Sequence, residues 1–462
     1  MAAKMLKQPR DFPSVEELLQ HPSLTKAVAS VPRPVAAQVI KDAVAEGKAK
    51  LAESDKGITE RRFLSLISDR LHQFQRQEVT RVINAAGIVV HTNLGRAPLS
   101  GELFDAVRRA VTGYGNVEYD LAVGKRGSRG VACERYLATL AGAAAATVVN
   151  NNAAALFIIL NTLANRKEVI VSRGELVQIG GGFRIPDILR RSGARLCEVG
   201  ATNITTGSDY AEAISKRTGL ILKVHQSNFK QSGFTRQTSL KELVALGRKQ
   251  AIPVVDDLGS GVFVDTKKLT GYREPTVQQS VRAGASLTCF SGDKLLGGIQ
   301  AGLIVGQPEL IKKIKKNPLF RALRVDKIVF STLEKLLRVY LDGDPHQQIR
   351  LWRQFSIPEA ELYKLAKGML DELKHPPGLT VMATKAYAGG GALPEDKLPS
   401  VAISFAKDRY DAARIESMFR SCSPPVIGRI ENDSFLLDLK AVLAEDYKPL
   451  TTAVGRVLRT YK

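Results

Sequence analysis

Cysteine is scarce in this chain of 462 residues: Cys133, Cys197, Cys289 and Cys422 stand far apart, and no C-x-x-C pair occurs. That spacing excludes a disulfide framework and a cysteine-built zinc site, so no metal is expected and the four read as reduced, mostly buried thiols. Long apolar runs are missing as well. No stretch of about 18 uncharged apolar residues exists, and the start from Met1 to Arg10 lacks the apolar segment of a signal peptide. A cytoplasmic protein with no membrane partner is therefore expected. Acidic side chains are outnumbered 46 to 67, which leaves a formal net charge of +21.

That charge is unevenly placed. Residues 1–80 carry 13 basic and 10 acidic side chains, residues 331–462 carry 19 and 17, and residues 81–330 carry 35 and 19. A field concentrated on the middle of the chain draws anions, so a polyanionic substrate is the sharp reading and a solubility surplus the bland one.

The length calls for two or three domains. Residues 1–80 look helical: Ser14-Val15-Glu16-Glu17 is a capping-box pattern, Pro34 opens a helix-like stretch from Val35 to Glu53, and a third helix is expected from Glu60 to Gln75. Residues 81–330 alternate short apolar strands with helical stretches, the rhythm of a parallel α/β sheet. Val169 to Val171, Leu220 to Val224, Pro253 to Val255 and Leu287 to Phe290 are the clearest strands, while Asp209 with Glu212 and Ser239 with Glu242 mark helix starts. A long helix from Asp326 to about Leu341 leads into residues 331–462, a smaller α+β domain with strands such as Val401 to Phe405 and Phe435 to Leu439.

The chemistry centres on Ser291-Gly292-Asp293-Lys294, between an apolar strand and the glycine-rich Leu295 to Gly302. A lysine just past a buried strand, a hydroxyl three residues earlier and glycines that admit a planar group are what pyridoxal phosphate needs: an imine, a phosphate ligand and room. Asn150, Asn151 and Asn152 follow the strand-like Thr147 to Val149 and open an apolar helix, where a phosphate would sit on free N–H groups. Asp256-Asp257 ends another strand, and a carboxylate there can keep a pyridinium nitrogen protonated. Asp256, as the end of the strand, is the expected partner, although the two could be exchanged. His225 could stack on or hydrogen-bond the ring and Asn228 could donate to its phenolic oxygen, against the ordinary reading of a structural histidine.

The order of these elements resembles the large domain of aspartate-aminotransferase-like, fold type I, pyridoxal phosphate enzymes. One departure is Gln300, where many members carry an arginine that clamps the phosphate. The run Ile83 to Arg96, then Glu118-Tyr119-Asp120-Leu121, Arg126-Gly127-Ser128-Arg129, Asp256 to Gly261 and Pro425 to Ile430, narrows the likeness. It is similar to the bacterial selenocysteine synthases, the L-seryl-tRNA(Sec) selenium transferases.

That resemblance implies conversion of seryl-tRNA(Sec) to selenocysteinyl-tRNA(Sec) with selenophosphate, by β-elimination of water to an aminoacryloyl intermediate and addition of selenium. It implies a homo-oligomer, a ring of dimers, with an N-terminal domain that grips the tRNA. Lys294 would be the imine lysine, Arg96, Arg321 and Arg324 the anion site for the donor, and Asp209 part of a dimer–dimer contact. There Ala201-Thr202 departs from a Thr-Thr pair of the family. Arg321 and Arg324, three apart, would share a helical face, and the proton donor for water loss is either Lys294 or Asp293. The alternative is a lyase or transferase of a free amino acid or amino-sugar acid. Such an enzyme needs an arginine for the substrate carboxylate, and Arg429 is the candidate that separates the two.

Overall fold

The computed structural model describes residues 4–53, 57–75, 77–179, 182–226, 229, 231–390 and 397–461. The chain divides into two compact units, Met1–Val82 and Ile83–Lys462. In the first, Ser14 caps Val15–Leu19 by accepting from the Glu17 N–H while the Glu17 carboxylate accepts from the Ser14 N–H, the box its sequence spells. Helices Arg33–Glu53 and Glu60–Gln75 then bury Ile40, Phe63, Ile67 and Leu71 in one apolar cluster.

The second unit is organised by a seven-stranded sheet of β1 (Ala145–Val149), β2 (Glu168–Ser172), β3 (Arg195–Val199), β4 (Thr218–Val224), β5 (Val254–Gly259), β6 (Leu287–Ser291) and β7 (Gly302–Gly306). Their order is β3-β2-β4-β5-β6-β7-β1, and only β7 runs antiparallel to its neighbours. Successive residues of a strand face opposite sides, and the two sides are covered separately. Val148, Leu303 and Val305 pack with Phe330, Leu333 and Trp352, whereas Val149, Ile304 and Val255 pack with the helix Asn152–Leu163.

Helix Lys327–Asp342 starts where Asp326 accepts from the Val329 N–H. The helix expected near Asp209 is capped three residues earlier, by Thr206, with Asp209 closing the box from the third helical position. A second sheet joins Leu379–Gly389, Lys397–Phe405, Arg429–Glu431 and Ser434–Asp438. Its edge strand is Ile88–Val90, parallel to Leu379–Gly389, and Ile83–Asn84 pairs with Val426–Ile427. Residues 83–90, grouped by sequence with the middle of the chain, are thus built onto its C-terminal part.

Candidate active site

The C-terminal ends of the central strands converge on Lys294. Beyond β6 the chain turns back on itself, with the Gly292 N–H donating to the Ala301 carbonyl and the Gly297 N–H to that of Lys294, 2.9 Å in both cases. Two other loops hold this turn: Leu295 N–H donates to Ser260 O at 3.0 Å, and Ala97 N–H to Asp293 O at 3.2 Å. Ser291, Asp293 and Lys294 are all buried. Burial pushes the Lys294 ammonium down from its usual range, the Arg96 guanidinium pushes it further, and Asp257, Asp293 and Glu274 oppose the shift.

Helix Asn152–Leu163 opens as expected, with Asn151 as the cap accepting from the Ala154 N–H at 2.8 Å. The Asn150 N–H is committed elsewhere, to Leu323 O at 3.0 Å. Gly302, the first residue of β7, carries no side chain because a Cβ there would come within 2.0 Å of the Asn151 carbonyl oxygen. The Asn152 amide donates to Asp257 Oδ1 at 2.8 Å, and the Cys289 thiol donates to the same oxygen at 3.6 Å. Asp257 also feels the Lys294 and His225 charges.

The expectation for Asp256 is therefore corrected. Its Oδ2 accepts from Ser280 Oγ at 2.6 Å on the opposite side of β5, where it lines a cavity of about 760 Å³ with Lys223 and Gln279. Parity decides this. Val255 and Asp257 share the face toward helix Asn152–Leu163, and Asp256 has the other. Burial raises both carboxyls, Asp256 to about 6. Half-buried His225, which also lines that cavity, is pushed down to about 4 by desolvation, and its Nδ1 lies 3.8 Å from Glu274 Oε1. Asn228 lies outside the described residues.

Arg96 reaches the site from a tight turn. It has a positive φ of 67°, its N–H donates to the His91 carbonyl, and its Nη1 donates to Asp293 Oδ2 at 2.7 Å. Arg321 and Arg324 do not share a helical face. Arg321 ends the 3-10 turn Pro318–Arg321 and is exposed, and half-buried Arg324 follows in irregular chain, 3.7 Å from Glu118. The cause is local: Pro318 and the Asn317 cap set up a single tight turn that ends before Arg324. Glu118 and Arg129, which gather around Arg324, carried no assigned role in the sequence.

Among the described residues, buried atoms left without a hydrogen-bond partner include Asn152 Oδ1, His225 Nδ1, Ser260 Oγ and Asp293 Oδ1. Their hosts are the residues around Lys294. Buried polar atoms of this kind fit a bound polar group, and the donor set suits a phosphate at the helix start and a pyridine ring beside Asp257.

Arg429 is the reverse case. Its Nε donates to Glu431, Nη1 to Ala86 O at 3.0 Å and Asp438 Oδ2 at 2.6 Å, and Nη2 to Thr384 Oγ1 and Lys385 O. All five guanidinium N–H groups are used.

Comparison with known proteins agrees with this arrangement. Residues 82–443 match the L-seryl-tRNA selenium transferase family. The L-seryl-tRNA(Sec) selenium transferase of Geotalea uraniireducens is 43% identical over 458 residues, 97% of this chain and 99% of that protein. That of Aquifex aeolicus is 43% identical over 399 residues, 86% and 88% of the two. In fold, D-glucosaminate-6-phosphate ammonia-lyase superposes with a TM-score of 0.60 at 18% identity, covering 84% of this chain and 98% of its own. The sheet order, the buried lysine beyond β6 and the relatives along nearly the whole chain lead to one conclusion: this protein belongs to the L-seryl-tRNA selenium transferase family.

Proposed function

We propose that this protein converts L-seryl-tRNA(Sec) to L-selenocysteinyl-tRNA(Sec), taking selenium from selenophosphate, with pyridoxal phosphate held on Lys294. The single observation that carries the reading, beyond family membership, is the buried Lys294 with Asp257 and Asn152 at the mouth of β5 and β6. When bound, pyridoxal phosphate supplies an electron sink for negative charge at the seryl α-carbon.

The rest falls to the chain itself. Lys294, with its pKa lowered, is suited to take the α-proton and then deliver a proton to the departing β-hydroxyl, so that water rather than hydroxide leaves. Asp257, oriented by Asn152 and Cys289, would pair with the pyridine nitrogen in place of Asp256. Asp293 anchors Arg96, which leaves the proton work to Lys294. Arg96, Arg321 and Arg324 receive the phosphate-like donor, whose selenium bonds to the β-carbon while a proton returns to the α-carbon; the Se–P bond breaks as water takes the phosphoryl group, and phosphate is released.

The competing small-molecule reading needs an arginine with free donors for a carboxylate. Arg429 has none left among its five, and seryl-tRNA, an ester, offers no carboxylate to bind. The helical unit Met1–Val82 serves the tRNA, the excess of 35 basic over 19 acidic side chains in residues 81–330 attracts it, and copies of the chain assemble into a ring of dimers in the cytoplasm. The deciding experiment incubates purified protein with seryl-tRNA(Sec) and selenophosphate, then identifies the esterified amino acid. Selenocysteine is expected; unchanged serine sinks the proposal.

A further inference from the structure

Arg324 stands in a stretch with no regular structure, so neither a helix nor a strand fixes where its guanidinium points. Its neighbours do. On one side, Leu323 is tied to the start of helix Asn152–Leu163 by the Asn150 N–H, which donates to its carbonyl at 3.0 Å. On the other, Arg129 Nη1 donates to the Val325 carbonyl at 2.9 Å. The remaining donors of Arg129 hold Glu118: Nε reaches Glu118 Oε1 at 2.8 Å, and Nη2 bonds the same oxygen. The other oxygen, Oε2, accepts from Arg126 at 2.9 Å. Glu118 Oε1 then lies 3.7 Å from Arg324 Nη1. Glu118 is itself placed by the hairpin of Tyr119–Asp120 and Lys125–Arg126, through the Gly127 N–H to Glu118 O bond of 3.0 Å.

We propose that Glu118 and Arg129 are positioning residues, which aim Arg324 at the anionic selenium donor without touching that donor themselves. This inference rests on the reading of Arg324 as part of the donor site. A guanidinium anchored through both of its backbone neighbours, and facing a carboxylate too distant for a hydrogen bond, keeps its own N–H groups for an incoming oxyanion. The three side chains are about equally half-buried, at 28 to 29% exposure, so their charges are only partly screened. The arrangement also settles why Arg129 must be an arginine. A lysine keeps the charge but cannot span the Val325 carbonyl and the Glu118 carboxylate together.

The sign of the effect separates positioning from simple charge balance. If Glu118 were only a counter-ion competing with the donor, removing its charge would tighten anion binding. If it positions Arg324, the same change loosens binding. The test uses the full-length, cofactor-loaded enzyme in three variants, Arg129→Lys, Glu118→Gln and Arg324→Ala. Two quantities are read: the KM and kcat for selenophosphate with saturating seryl-tRNA(Sec), and the Kd for inorganic phosphate by calorimetry.

Arg129→Lys and Glu118→Gln are expected to raise the donor KM and the phosphate Kd about tenfold, with kcat within about threefold and cofactor absorbance unchanged. Should Arg324→Ala weaken the donor while both other variants keep wild-type KM and Kd, the positioning inference fails and the donor site stands. Tighter phosphate binding in Glu118→Gln overturns it too, as does a parallel loss of kcat and cofactor absorbance in Arg129→Lys. If Arg324→Ala leaves KM and Kd unchanged, the donor-site reading falls and this inference with it.

Discussion

Two charged clusters in the unit Ile83–Lys462, each built around a buried carboxylate, look alike in composition and differ in completeness. Around Arg429, every donor has an acceptor, and Asp438 is filled from all sides by Arg429, by Ser400 at 2.5 Å and by the Lys440 N–H at 3.0 Å. Around Lys294, the same kinds of side chain leave several buried atoms unmatched, among them Asn152 Oδ1, His225 Nδ1 and Asp293 Oδ1. The difference separates architecture from a receptacle. A saturated network fixes one arrangement of chain segments, here Ala86, Thr384, Lys385, Glu431 and Asp438, whereas an unsaturated one has donors and acceptors to offer a bound group.

The comparison breaks most visibly at its two arginine and lysine centres. Lys294→Ala is expected to lower turnover by at least about a thousandfold with little change in melting temperature, since a buried cation with its desolvation cost is removed. Rate assays and thermal melts on one preparation check both halves. Arg429→Ala should do the opposite. It strands the fully buried Asp438, so a loss of about 3–5 kcal/mol in urea unfolding is expected, with KM for seryl-tRNA(Sec) nearly unchanged in whatever remains folded. Loss of substrate binding without loss of stability would instead revive a carboxylate-binding role.

The adjacent aspartates sharpen the contrast within one strand. Asp257→Asn should cut turnover about a hundredfold, while Asp256→Asn should leave it within a few-fold. The Asp256 effect belongs to stability. Its folded pKa of about 6 lies above the unfolded value, so its favourable contribution is present at low pH and is lost as pH rises through about 6. Asp256→Asn should therefore gain on the native protein between pH 4 and 7, by up to about 3 kcal/mol, as read from urea midpoints at the two ends. Smallest is Gly87→Ala. Gly87 has φ of +75°, and a Cβ there would meet Arg429 Nη1 at 2.2 Å, so a loss of about 1–3 kcal/mol is expected with catalysis intact.

Much of the receptacle was legible because its signals are local. A lysine three residues past a strand-ending serine and an asparagine cap before an apolar helix are short-range patterns, and both fell where they were expected. The choice between Asp256 and Asp257 was not legible. It depends on which face of β5 meets helix Asn152–Leu163, and the packing puts Val255 and Asp257 on that face. The saturated cluster was hidden for a related reason. The partners of Arg429 come from residues 86, 384–385, 431 and 438, and no local pattern records that Ile83–Asn84 and Ile88–Val90 pair with C-terminal strands. Arg321 and Arg324 do not share the helical face that their spacing predicts, because Asn317 and Pro318 make one tight turn there.

The most direct test of the receptacle is chemical trapping at Lys294. The purified enzyme, loaded with pyridoxal phosphate, is reduced with borohydride, digested and mapped by mass spectrometry. A single phosphopyridoxyl group on the Lys294 peptide, lost in Lys294→Ala and retained in Arg429→Lys, is the predicted result. A modified lysine elsewhere, or none, would contradict the account.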